Sequence, residues 1–257
     1  EPYRAFIADK LDASQQPTGF QAQSFFTGLG QTLANLSLFV FPLIFVGTTG
    51  KLPTWVYASF FLGSVCSIAT IWWSAKTTPE ISPTPEELDR LKEEKGSVFS
   101  PFVEIFSAIK DMPRIMWQLA LVYFFQWYAL FCYWQNSSKS VALSVYKTTP
   151  GSNPSLYEEA VGWTGLVNSW YNVVTFLSAF GLVWFARRYS PKWVHLVCLL
   201  LAGVGFLVFP QIENKYLLFP AITGFGIGWA SMMGIPYLMV VSSIPKERYG
   251  VYMGIVN

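Results

Sequence analysis

The sequence predicts an all-α membrane protein, and two observations carry that prediction. Six stretches contain no Asp, Glu, Lys or Arg: residues 13–50, 52–75, 115–138, 160–186, 193–212 and 216–245. Each reaches the roughly 20 apolar residues a helix needs to cross a bilayer core. Composition agrees, with 53% of residues hydrophobic, 18% aromatic and 12% charged, against about 25% charged in an average soluble domain. A soluble chain would scatter charges along its helices to keep their outer faces in water.

Trimmed, the stretches become six helices at 21–46, 54–75, 115–135, 162–186, 194–209 and 217–241. The first carries Gln23, Thr27, Gln31 and Asn35 every fourth residue, one polar stripe. The second is bounded by Trp55, Tyr57, Trp72 and Trp73, which fit interfacial aromatic belts, as do Trp163, Trp193 and Tyr216 near later span ends. The third holds Gln118, Gln126, Trp127, Tyr133, Trp134 and Gln135. On the fourth, Asn168, Tyr171, Asn172 and Thr175 recur at three- and four-residue steps. The sixth offers Trp229 and Tyr237 behind Gly224, Gly226 and Gly228. That glycine run lacks the spacing and preceding strand of a dinucleotide fingerprint, so close helix approach explains it.

Loop charge orients the spans. Arg4, Lys10, Lys76, Arg90, Lys92, Lys95, Lys110, Arg114, Arg187, Arg188, Lys192, Lys246 and Arg248 fall on one side; Lys51, Lys139, Lys147 and Lys215 fall on the other. Thirteen against four makes the first side cytoplasmic, with loops around 1–18, 76–114, 187–192 and 244–250.

The longest charged segment, 76–113, divides the chain into part of one helix bundle, 1–75, and part of a second, 114–257. Within it Thr84-Pro85-Glu86-Glu87 is a capping box that starts a short helix ending at Gly96. Ser100-Pro101 opens another, where Phe102, Ile105, Phe106 and Ile109 oppose Glu104 and Lys110. It suits a helix on the membrane surface, or an ordinary amphipathic linker. A faint internal echo supports the division. Pro2-Tyr3 precedes a charged stretch and Gly19, and Pro236-Tyr237 precedes Lys246, Glu247, Arg248 and Gly250. Weak repetition of that kind marks transporters built from repeats.

Other classes are excluded. A net charge of +2 is too small and dispersed for nucleic-acid binding. Cys66, Cys132 and Cys198 lie in separate apolar stretches and form neither a disulfide framework nor a metal motif. His195, the single histidine, has no ligand-type neighbour in sequence, so no metal or cofactor is expected. No Ser/His/Asp or Cys/His grouping supports an enzyme. The start at Glu1 without Met and the apolar end at Asn257 read as those of a fragment.

Intramembrane polar residues need partners in protein, water or substrate. Amides also glue helices together, at roughly 1 kcal/mol each. Two aligned stripes with clustered aromatics are more than packing needs, and they suit a neutral polyhydroxylated ligand. Amides donate and accept, while rings cover the apolar C–H face of a sugar. Glu158 and Glu159, before the fourth span, are weaker candidates for cation entry; solvated loop carboxylates are the other reading.

Motifs spread along the chain resemble one family. Pro2, Arg4, Ala5, Ala8 and Asp9 resemble the end of the fourth helix in sucrose-type transporters, members of the glycoside–pentoside–hexuronide:cation symporters of the major facilitator superfamily. Residues 125–131, Phe-Gln-Trp-Tyr-Ala-Leu-Phe, resemble the seventh helix of bacterial relatives. Residues 157–163, 234–237 and 252–257 resemble the start of the eighth helix and the tenth-to-eleventh region.

The resemblance implies a twelve-helix, two-bundle carrier of which this chain is helices five to ten plus the edges of four and eleven. Its implied work is import of a glucoside such as sucrose or maltose by alternating access, with a proton, in the bacterial cytoplasmic membrane. Gln31, Asn35, Gln126, Trp127, Asn168, Tyr171, Asn172 and Trp229 are the candidate sugar contacts. Arg4, Asp9, Lys246 and Arg248 become candidate gate ion pairs, with plain positive-inside charge as the alternative. Plant members carry acidic residues at the outer end of the seventh helix, where this chain reads Cys132-Tyr133-Trp134-Gln135-Asn136. Coupling then rests on helices outside this sequence, on Glu158 or Glu159, or is absent. Alternatives are a carrier for another neutral solute and a transport-inactive sensor or scaffold of the same fold.

Overall fold

The computed structural model describes residues 16–79, 106–241, 243, 252, 254 and 255. The expected linker helix at 84–96 lies outside these residues, and so does the start of the next at 100; 106–110 are helical. Among the described residues the architecture is six long helices. They are α1 (Gln16–Ile44), α2 (Thr54–Thr77), α3 (Arg114–Ser144), α4 (Pro154–Arg188), α5 (Pro191–Val208) and α6 (Leu218–Val241). Helices suit lipid because every backbone donor and acceptor is paired within the segment. Five candidate spans, at 26–44, 54–77, 114–144, 191–211 and 215–236, are long and apolar enough to cross a membrane. The polar α4 is not among those five.

Two helices overrun the expected spans. α3 continues through Lys139 to Ser144, and its 31 residues reach about 46 Å. α4 begins at Pro154, and its 35 residues reach about 52 Å. The local cause at α4 is a cap: Asn153 Oδ1 accepts from Leu156 N at 3.1 Å, and Pro154 takes the first helical position. Glu158 and Glu159 therefore sit on helix rather than loop.

α1 and α2 are joined by a minimal hairpin, β1 (Thr48–Thr49) and β2 (Leu52–Pro53), paired antiparallel. Its two-residue turn places Gly50 at φ +66° in the first central position, which glycine adopts without a Cβ clash. Thr49 Oγ1 and Thr54 Oγ1 close the turn at 3.0 Å.

The described helices form two compact units. One holds the hairpin and α2; the other holds 28–42 of α1 with α3 to α6. In the second unit α6 runs between α4 and α5, and its glycines alternate between them. A Cβ on Gly226 would lie 2.6 Å from Tyr171 O of α4. One on Gly228 would lie 2.7 Å from Ala202 Cβ of α5, and one on Gly224 would collide with Leu201 O. Spaced four apart, Gly224 and Gly228 share the α5 face, while Gly226 points the other way.

The same device joins α1 to α4. A Cβ on Gly165 would meet Asn35 O and Leu38 Cβ, each at 2.6 Å, and Ser169 Oγ donates to Thr32 O at 3.1 Å. Pro236 inside α6 has no N–H, which frees Met232 O four residues back. Tyr123 Oη of α3 donates to that carbonyl at 3.5 Å.

Candidate substrate site

α3 presents Trp127, Phe131 and Trp134 at steps of four and three residues, hence on one face. α6 brings Trp229 against them. The three indoles are mutually edge-on, with centroids 6.3 Å apart for Trp127–Trp134, 6.0 Å for Trp127–Trp229 and 5.7 Å for Trp134–Trp229. Phe131 adds a fourth ring, 6.0 Å from Trp127 and 5.8 Å from Trp134. Edge-on packing is the arrangement ring quadrupoles favour. Trp134 Nε1 donates to Tyr171 Oη of α4 at 3.3 Å. Trp229 is buried, whereas Trp127 and Phe131 remain exposed. The cluster is thus fixed from behind and open at one side.

Behind it lies a sealed polar layer. Tyr133 Oη donates to Asn168 Oδ1 at 2.7 Å, and Asn172 Nδ2 donates to Asn168 O at 2.9 Å. Asn168 is 8% exposed and Asn172 2%. Tyr133 stacks on Phe206 at 5.0 Å and meets Phe225 at 5.4 Å, so its ring joins α3, α5 and α6. Thr175 Oγ1 donates to Tyr171 O and across to Gly226 O, both at 2.9 Å. The α4 stripe is therefore used in packing.

The candidates from the sequence divide accordingly. Trp127, Tyr171 and Trp229 come together with Trp134, while Asn168 and Asn172 stand behind them. Asn35 lies at the α1–α4 seam, its Nδ2 donating to Gln31 O at 2.9 Å, and the Gln31 side chain is exposed. Gln126 joins a different group: its Nε2 lies 3.1 Å from His195 Nε2, and His195 Nδ1 lies 2.8 Å from Ser231 Oγ. Glu158 and Glu159 are on the first turns of α4. The Tyr146 phenol, beyond the end of α3, is pushed up by burial and then by the Glu159 carboxylate. Arg4, Asp9, Lys246 and Arg248 lie outside the described residues. Among the described residues no three His, Cys, Asp or Glu come together to hold a metal.

Two clefts flank α3 where it meets α5. One of about 300 Å³ lies at Tyr133, Asn136, Ser137 and Phe209; the other, about 220 Å³, lies at Ile115, Gln118, Lys192 and His195. Neither borders the three tryptophans.

The family model for the Major Facilitator Superfamily matches residues 16–257, nearly the whole chain. The chain belongs to the Major Facilitator Superfamily. No solved structure matches it. Members of this superfamily are multi-pass membrane transporters and generally not enzymes, so the apolar helices belong to a transporter in lipid. Major Facilitator Superfamily carriers bind substrate near the bilayer midplane, where half-height side chains of several helices converge. Trp127 on α3 and Trp229 on α6 lie well inside their helices, while Trp134 lies one residue from the end of the expected 115–135 span.

Sequence reasoning passed over two parts of this superfamily member. Trp134 is named on the third span but not among the sugar contacts, and Phe131 is not singled out, although both continue Trp127 along one face of α3. His195 was weighed against a metal site alone. Its signal was available nonetheless: it is an ionisable group in a stretch without charge, which in lipid calls for a named partner.

Proposed function

We propose that this chain is part of a glycoside–pentoside–hexuronide-type symporter that imports a neutral sugar, a glucoside such as sucrose or maltose, with a proton by alternating access. The observation that carries the reading is the indole trio Trp127, Trp134 and Trp229, held edge-on and backed by the Tyr171 hydroxyl. Ring faces fit the C–H face of a pyranose, and hydroxyl and indole N–H groups meet its oxygens. All three tryptophans lie in stretches without Asp, Glu, Lys or Arg, which favours an uncharged solute. In this reading the carrier sits in a bacterial cytoplasmic membrane, and the loop-charge bias favours Lys76, Arg114, Arg188 and Lys192 on the inside.

Counterflow of labelled sucrose and maltose by the full-length carrier in proteoliposomes tests it. The expected result is exchange of a glucoside, reduced up to about tenfold in Trp127→Ala and Trp229→Ala, the loss of about 0.5–1.5 kcal/mol of ring contact. Exchange of a charged solute, with no glucoside exchanged, overturns the sugar reading. An uncoupler should abolish accumulation and spare exchange; accumulation that survives it removes the proton.

A further inference from the structure

Three polar side chains from three helices meet away from the tryptophans. They are Gln126 of α3, His195 of α5 and Ser231 of α6. His195 is 4% exposed and Ser231 is fully buried. The orientation of the Gln126 amide sets the state of the ring. Gln126 Nε2 lies 3.1 Å from His195 Nε2, and an amide nitrogen donates but does not accept. His195 Nε2 is therefore the acceptor, and the ring carries its hydrogen on Nδ1, which donates to Ser231 Oγ at 2.8 Å. The neutral imidazole is satisfied on both sides.

One neighbouring atom is not. Gln126 Oε1 is buried with no hydrogen-bond partner. Such an orphan inside protein is costly and calls for an explanation. A half-turn of the amide about Cγ–Cδ places Oε1 where Nε2 now stands, facing the ring. There it can bond only to an Nε2 that carries hydrogen: with Nδ1–H kept on Ser231 that ring is doubly protonated, and with the Ser231 hydroxyl donating to Nδ1 it is the neutral Nε2–H tautomer.

We infer that Gln126, His195 and Ser231 form a proton-binding site in which His195 takes one proton on Nε2 and the Gln126 amide turns to accept it. The step is a simple protonation: a proton from water forms the Nε2–H bond, the ring becomes a cation, and the Nδ1–H bond to Ser231 is kept. His195 lines the cleft of about 220 Å³ together with Gln118, Lys192 and mostly apolar side chains.

Among the described residues, the charged and titratable groups nearby are few. On α5 they are Lys192 at the cleft mouth and the Cys198 thiol one turn on; Tyr252 lies in the same packed cluster. α3 contributes Gln118 and Gln126, and α6 contributes Ser231 and Met239, none of them charged. No carboxylate stands among these groups, so the accepting amide oxygen is the counterpart the cation would have.

The proton site stands on this geometry; its role in symport rests on the function proposed above. The test is nitrogen NMR of the full-length carrier labelled with ¹⁵N-histidine in detergent, the His195 signal assigned by its loss in His195→Gln. At about pH 8 the ring is expected as the Nδ1–H tautomer, and acidification should produce the doubly protonated form. Gln126→Leu should lower the midpoint and Gln126→Glu raise it, by about one pH unit or more. A ring that stays neutral at every pH where the carrier is folded, an Nε2–H tautomer, or midpoints indifferent to residue 126 overturns the site.

In proteoliposomes His195→Gln should keep sugar counterflow and lose proton-driven accumulation. Accumulation equal to wild type overturns the coupling role. A titrating His195 in a carrier that exchanges no sugar leaves the proton site standing and removes the sugar.

Discussion

α2 and α6 are both 24 residues long, both free of Asp and Glu, and both apolar enough to cross a membrane. Yet α2 has no buried residue, while more than half of the apolar stretch within 215–236, which covers most of α6, is buried. Hydropathy does not separate them. What does is where their small residues fall. Gly224, Gly226 and Gly228 each touch a neighbouring backbone or Cβ, whereas a Cβ on Gly63 of α2 meets open space. Apolarity suits a helix to lipid, and small residues in register mark where α6 packs against α4 and α5. Phe60, Phe61, Trp72 and Trp73 of α2 are exposed instead, Phe60 at 75% and Phe61 at 73%.

Glycine replacement breaks the comparison most sharply. Gly226→Leu drives a side chain into Tyr171 O and Val174 at a seam with no slack. The loss should reach or exceed the upper end of the roughly 1–3 kcal/mol that overpacking costs. Little folded carrier should elute as a single peak in detergent gel filtration. Gly63→Leu should elute and melt like wild type. Equal behaviour of the two variants would mean that the α4–α6 seam gives way more readily than its geometry implies.

A smaller effect is expected at Tyr133→Phe. It removes the donor to Asn168 Oδ1 and leaves that carbonyl buried, a loss of about 1 kcal/mol. The melting temperature should fall by a few degrees, less than for Gly226→Leu, while the KM for sugar stays within about twofold. A large change in KM without a change in melting would move Asn168 out of the packing layer and into the substrate site.

Much of the fold was legible because lipid imposes one simple rule. Charge-free stretches marked the helices: the expected 54–75 lies wholly inside α2, and the expected 194–209 lies inside α5 but for its last residue. The ends were less legible. Lys139 and Glu158 read as loop, since charge was taken as the end of a span, but helices continue past the bilayer when caps such as Asn153 allow. The hairpin at Thr48–Pro53 is too short for any periodicity to announce it. At the site, tryptophans at helical spacing were visible, but the destination of an amide was not. Gln126 and Asn168 look alike in a hydropathy trace, and only the packing of α5 gives one of them to His195 while Tyr133 takes the other.

The contrast between α2 and α6 also places stability in the helix seams, so charges beyond the helix ends should contribute little. Lys147 Nζ and Glu213 Oε1 form an ion pair at 2.7 Å, with side chains 62% and 76% exposed. The hydrogen bond and charge of Lys147 hold the Glu213 carboxyl below its usual range. A carboxyl lowered in the folded state stabilises above its unfolded pKa, and the benefit is lost as pH falls through the folded value. Lys147→Ala should therefore reduce melting temperature slightly at neutral pH and low salt, and not at all once Glu213 is protonated in both states. Water and ions screen so exposed a pair, so about 0.5 M salt should erase the difference at neutral pH as well. A loss that persists in high salt and approaches that of Tyr133→Phe would show the loops, and not only the α4–α6 seam, holding the bundle together.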